Sequence, residues 1–143
     1  MTWTLTTAGR DACLTDGGLN ALVIEGTTVA NPYVKISTTG GATELLNIIM
    51  DTTDALLDNG DGTAIFQRPS AASWVNYQQN AIGTGDMAQF ELFNRDNVLV
   101  GSGTVTTVTG AGDWQFADSP GVGVTSGNPV QTNAPVVTQP SSV

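Results

Sequence analysis

The stretch from Ala88 to Val108 constrains this chain more than any other: AQFELFN and VLVGSGTVTTV flank the polar link Arg95-Asp96-Asn97. In the first arm Ala88, Phe90 and Leu92 fall on one face of an extended chain, with Gln89 and Glu91 on the other, the period of a half-buried strand. The two arms therefore predict one β-hairpin. Arg, Asp and Asn are costly to bury, and Asn and Asp tolerate the left-handed backbone of a tight reversal, so the link is expected at an exposed tip.

Further strands are expected on both sides of this hairpin. Trp3 and Leu5 alternate with threonines in a short strand within Thr2–Thr7. Ala8–Leu14 can make about two helical turns that Gly17-Gly18 would end, and Leu19–Ile24 fits either helix or strand. Tyr33–Thr38 alternates and is rich in β-branched residues, Gly40-Gly41 closes it, and the apolar run Glu44–Met50 suits a strand buried on both faces. Asn59-Gly60 and Asp61-Gly62 are turn dipeptides between arms at Ala55–Leu57 and Thr63–Gln67, because glycine accepts positive φ without a Cβ clash. Ser73–Gln78 is a further candidate strand. Gly110–Gly127 reads as a long loop, and Pro129–Pro140 as an edge strand, since proline cannot donate to a ladder. Gly101-Ser102-Gly103 lies inside a strand pattern with no helix after it, so it reads as a bulge or a close backbone approach and not as a nucleotide loop. The sum is an all-β chain: a single small β-sandwich or jelly-roll-like domain over residues 1–143 with a short or absent N-terminal helix. Residues 1–30 form an N-terminal segment suited to be an arm, and 128–143 a C-terminal edge strand and tail.

Composition narrows the chemistry. Thirteen acidic residues stand against four basic ones, Arg10, Lys35, Arg68 and Arg95, for a formal charge of −9. Phosphate backbones and anionic membranes repel such a chain, so neither nucleic acid nor membrane is an expected partner. The sequence contains no histidine, which removes the usual neutral-pH base, the usual zinc ligand and the usual partner of a nucleophilic serine. Cys13 reads as a small buried apolar side chain, with a reactive thiol as the minor alternative. No basic leader followed by an apolar run opens the sequence, and no stretch of about 18 apolar residues occurs, so a soluble protein made in the cytoplasm is expected.

Asp51, Asp54, Asp58 and Asp61 could offer oxygen ligands to Ca²⁺, but their spacing departs from the EF-hand pattern, and a solvated turn is preferred. Two of Glu25, Glu44 and Glu91 could serve as a glycosidase pair, against the commoner reading as surface carboxylates. Trp3, Trp74, Trp114, Tyr33 and Tyr77 could make a sugar-stacking platform, or supply the aromatic content of a small β core, which is preferred. No cofactor and no enzymatic activity are expected.

The order of segments resembles a group of small tailed-bacteriophage virion structural proteins. The resemblance rests on Thr6-Thr7-Ala8-Gly9-Arg10-Asp11-Ala12, Lys35-Ile36-Ser37-Thr38, Gly62-Thr63-Ala64, the hairpin from Phe90 to Val105, Asp113–Phe116, and Gly127–Pro140. Gly17-Gly18 departs from it by shortening the expected N-terminal helix, and Asn97 stands where a glycine occurs in the hairpin of many relatives. The resemblance implies a non-enzymatic capsid decoration (cement) protein on the virion surface, bound to the major capsid protein and assembled as a homotrimer or homodimer. Trp3, Arg10, Arg95, Asp96 and Trp114 are then the expected partner contacts. Two alternatives stay open: a neck, tail or fibre component, and a carbohydrate-binding module on the virion surface that stacks sugars on Trp74 and Trp114.

Overall fold

Alternating apolar residues pair into sheets across most of the chain. In a computed structural model, which describes residues 4–6, 18–58, 63–133 and 136–138, the strands are β1 (Thr4–Leu5), β2 (Tyr33–Ser37), β3 (Glu44–Ile49), β4 (Leu56–Asp58), β5 (Thr63–Phe66), β6 (Gln78–Asn80), β7 (Gly85–Asp86), β8 (Gln89–Phe93), β9 (Leu99–Thr107), β10 (Trp114–Phe116), β11 (Gly123–Val124), β12 (Pro129–Gln131) and β13 (Val136–Thr138). One short helix, α1 (Gly18–Ile24), precedes β2 and buries Leu19 and Val23. These residues lie four apart on one helix face, which resolves Leu19–Ile24 as helix. Among the described residues the structure is otherwise mostly β, with two single 3₁₀ turns at Thr39–Gly41 and Pro69–Ala71. The expected turns over Ala8–Leu14, together with Cys13, lie outside the described residues.

The predicted hairpin is the centre of the main sheet. β8 and β9 are antiparallel neighbours in the order β1-β9-β8-β2-β3, and β10 runs parallel to the far end of β9. Across β2, β8 and β9 the register aligns Ile36, Phe90 and Gly103 in one row, and Val34, Leu92 and Gly101 in another. All four large apolar residues of these rows are buried. Gly103 has a packing reason: a Cβ there would stand 2.5 Å from the Phe90 ring. The Gly-Ser-Gly segment thus makes a close backbone approach at Gly103.

A three-stranded sheet, β4-β5-β13, contributes Phe66 to the same core. Its ring meets Phe90 edge-on at 6.2 Å and Trp114 at 6.0 Å. Two ribbons, β6 with β12 and β7 with β11, complete the pairing among the described residues. The arms around the Asn59-Gly60-Asp61-Gly62 turn pair as expected, Leu57 opposite Ile65 and Asp58 opposite Ala64; the turn itself lies outside the described residues.

Four expectations change. β3 is enclosed on both sides only at Leu45 and Leu46; further along, Asn47 is half-buried and Ile49 is 52% exposed, because that part of the outer face lacks cover. Ser73–Gln78 turns instead of extending, since Asn76 adopts φ +58° and Tyr77 N–H donates to Trp74 O at 3.1 Å. The Gly110–Gly127 loop contains β10 and β11. The final segment makes two strands, β12 and β13, in different sheets; between them Thr132 N–H donates to Tyr77 O.

Candidate interaction surface

The hairpin tip is exposed at Asp96 and Asn97, as expected, and it is also tied to its own chain. Asn97 takes φ +61°, the left-handed conformation anticipated there. Asp96 Oδ1 accepts from the Thr27 N–H at 2.9 Å, the Thr28 N–H at 3.2 Å and the Thr28 hydroxyl at 2.9 Å. Arg95 N–H donates to Glu25 O, Val29 N–H donates to Arg95 O, and the Arg95 Nε–H reaches Val29 O at 3.2 Å. Arg95 and Asp96 therefore act as a latch on residues 25–29 within the protomer. The Asp96 Oδ1 and Arg95 backbone bonds have a local reason: the segment leaving α1 has backbone amides without sheet partners, and these need acceptors.

This latch titrates. The Thr27 amide, followed by the Thr28 hydroxyl and amide, holds the Asp96 carboxyl below its ordinary value of 3.8. A depressed folded-state pKa contributes stability above the unfolded value, and that contribution is lost as pH falls through the folded value. In ¹H–¹⁵N spectra the Thr27 and Thr28 amides should shift with a midpoint below pH 3.8, and Asp96→Asn should abolish that titration.

Trp114 departs from its expected place at a contact surface. It is 1% exposed, and its ring is surrounded by Phe66, Phe90, Trp74 and Phe116. Its indole N–H donates to Asn133 Oδ1 at 3.1 Å. An indole so enclosed holds the core and cannot stack on a partner or a sugar, so the platform with Trp74 does not form. β10 carries it inward because the strand runs beside β9, with Trp114 and Phe116 on the buried side and Gln115 between them. Trp3 and Arg10 lie outside the described residues. The calcium candidate Asp51 uses its oxygens on the amides of Thr53, Asp54 and Ser70, as a turn would.

Two outward features involve aromatics that the sequence offered as candidates, Tyr33, Trp74 and Tyr77, and the structure places them in two separate surroundings. The first is the loop from Arg68 to Tyr77, where Ser70, Ala71 and Asn76 all have positive φ between 52° and 58°. Such conformations cost about 1–2 kcal/mol each for residues with a Cβ and persist where surrounding contacts enforce them. Here the contacts are visible. The Trp74 indole N–H donates to Phe66 O at 2.9 Å, Trp74 meets Tyr77 edge-on, and Arg68 lies 3.5 Å from the Tyr77 ring centre while donating to Ser73 O. Held up by this frame, Val75 is 77% exposed.

The second is the outer face of the main sheet. Ile49, Tyr33, Phe93 and Leu99 stand in one row across β3, β2, β8 and β9. Tyr33 stacks on Phe93 at 5.1 Å and 13°, and the Lys35 ammonium sits 5.1 Å over the Phe93 ring. Beside Tyr33 an open groove of about 370 Å³ is bordered by β2, β3, residues 29–31 and Asn97. The alternation in Tyr33–Ser37 was the signal for this face, since burying Val34 and Ile36 turns Tyr33 and Lys35 outward. Compared with known protein families, known proteins and solved structures, the chain matches none.

Proposed function

We propose that this protein is a non-enzymatic structural component of a tailed-bacteriophage virion. It decorates the outside of the assembled shell and stabilises it, with the major capsid protein as its partner. We read its body as a jelly-roll-like β-sandwich, the three-stranded sheet facing the main sheet across Phe66, Phe90 and Trp114. The order of sequence segments supports the family. The observation that carries a docking role is the Arg68–Tyr77 loop, which presents one apolar side chain inside a fixed frame of arginine, tryptophan and tyrosine.

Those three residue types are enriched where protein interfaces concentrate their binding energy, and a loop already held in place loses little entropy on docking. A protein that binds assembled subunits and not free ones adds its binding energy to the shell. A homotrimer or homodimer would present this loop repeatedly to a symmetric shell. No catalytic group is required.

Shells stripped of the protein should lose heat resistance, and adding it back should restore it. Val75→Asp should leave folding stability within about 0.5 kcal/mol, because the side chain is solvent-exposed, yet weaken shell binding by roughly tenfold or more. Equal heat resistance with and without the protein, or its location at the neck, tail or fibres in an image of the particle, would overturn decoration.

A further inference from the structure

The groove on the outer sheet face has the hydrogen-bonding capacity of a small-ligand site, and we propose that it binds a neutral saccharide, with a sugar ring lying over the adjacent side chains of Tyr33 and Ile49. Its volume of about 370 Å³ falls within the range of small-molecule sites, roughly 300–1,000 Å³.

The apolar walls come from sheet geometry. Phe93 on β8 covers one face of the Tyr33 ring. β3 lies on the opposite side of β2, and its residue directly across from Tyr33 is Ile49. Tyr33 and the half-exposed Ile49 are thus side-by-side neighbours that form one apolar surface of the groove. A pyranose presents C–H groups on its faces and hydroxyls around its rim, so a surface of adjoining aromatic and aliphatic carbon suits one of its faces.

The polar groups fit the rim. Tyr33 O–H donates to Asn97 Oδ1 at 2.8 Å, which fixes that amide and leaves its Nδ2–H₂ as an open donor. Asn47 Nδ2 donates to Glu44 Oε1 at 3.3 Å, leaving the second Glu44 oxygen and Asn47 Oδ1 as open acceptors. Among the described residues the Lys35 ammonium has no hydrogen-bond acceptor, and it rests on the Phe93 ring. The groove thus offers donors and acceptors together. A hydroxyl both donates and accepts, so a polyol can satisfy all of these groups. A phosphate or carboxylate only accepts, and it would meet the Glu44 carboxylate on a chain of net charge −9.

These residues are mostly held on paired strands, so the site is formed before the ligand arrives. It is independent of the Arg68–Tyr77 loop and of any shell.

The test is a screen of the intact protein against arrayed neutral hexose and N-acetylhexosamine oligosaccharides, with each binder titrated in solution by saturation-transfer NMR. At least one neutral glycan should bind with a Kd of about 1 mM or tighter. Glu44→Gln should weaken it roughly 3- to 10-fold by impairing one hydrogen-bond acceptor. Tyr33→Ala should abolish it, and if that variant fails to fold, Ile49→Glu at an exposed position provides the same loss on a folded protein. Val75→Asp should bind the glycan unchanged, which separates this site from the docking loop. Binding of acidic glycans alone, no neutral binder, or binding that both Glu44→Gln and Ile49→Glu leave intact would overturn the proposal.

Discussion

Trp114→Ala is expected to lower the unfolding free energy by about 4 kcal/mol, the scale for truncating a large buried aromatic side chain to alanine. The ring lies against four others: edge-on to Phe66 at 6.0 Å, to Phe90 at 5.6 Å and to Trp74 at 6.3 Å, and stacked with Phe116 at 5.8 Å. Phe66 belongs to the smaller sheet and Phe90 to the larger, so the indole lies at their junction. Removing it opens a cavity that rings fixed on paired strands cannot close. A domain of this size has about 5–15 kcal/mol of stability in all, and the loss would be a large share of it. Urea unfolding followed by far-UV circular dichroism measures the effect. Trp114→Phe, which keeps an aromatic ring, should lose clearly less. A Trp114→Ala loss below about 1 kcal/mol would mean that this junction is not packed as described.

Gly26→Ala should cost about 2–4 kcal/mol, from two additive causes. Gly26 has φ +112°, a conformation that residues with a Cβ rarely adopt, and an added Cβ would lie 2.6 Å from the Asp96 backbone nitrogen. The hairpin tip cannot retreat, because Arg95 is bonded through its N–H to Glu25 and through its carbonyl to Val29, on either side of the glycine. Gly127→Ala is the control: its φ is +85°, but nothing lies within 4 Å of the added atom. It should cost about 1–2 kcal/mol from backbone strain alone. Thermal unfolding compares the two, and amide exchange at residues 27–29 should accelerate in Gly26→Ala and not in Gly127→Ala. Equal losses in both variants would show that the tip has freedom to move.

The hairpin was readable because its information is local. Alternation in Gln89–Phe93 and the tolerance of Asn97 for positive φ are properties of neighbouring residues. The strand at Tyr33–Ser37 and the arms around the 59–62 turn were readable for the same reason. β10 and β11 were hidden because a short strand needs a partner to identify it. Trp114–Phe116 becomes one by lying along Val105–Thr107, a pairing between segments whose intervening Gly-rich sequence reads as loop. Ser73–Gln78 failed in the opposite direction: its aromatic and β-branched content suits a strand, but tertiary hydrogen bonds from Trp74 to Phe66 and from Thr132 to Tyr77 hold it as a loop.

The candidate sites divide along the same line. Arg95 and Asp96 were correctly located at a turn, yet their role as an internal latch depends on residues 25–29, about 70 positions earlier in the chain. Trp74 and Trp114 look alike in sequence as candidate stacking residues. One frames a loop and the other fills the core, and only their neighbours distinguish them.

By itself the sequence determined an all-β chain, an acidic surface, a chemistry without histidine and a central hairpin, because composition and period-two patterning depend on residue types and short spacings. The tertiary structure decided which aromatic rings are buried, which face of β3 meets water, and that Tyr33, Glu44, Asn47, Ile49 and Asn97 border one groove. The reason is physical: burial and site geometry are set by strand register and sheet packing, which join residues far apart in the chain.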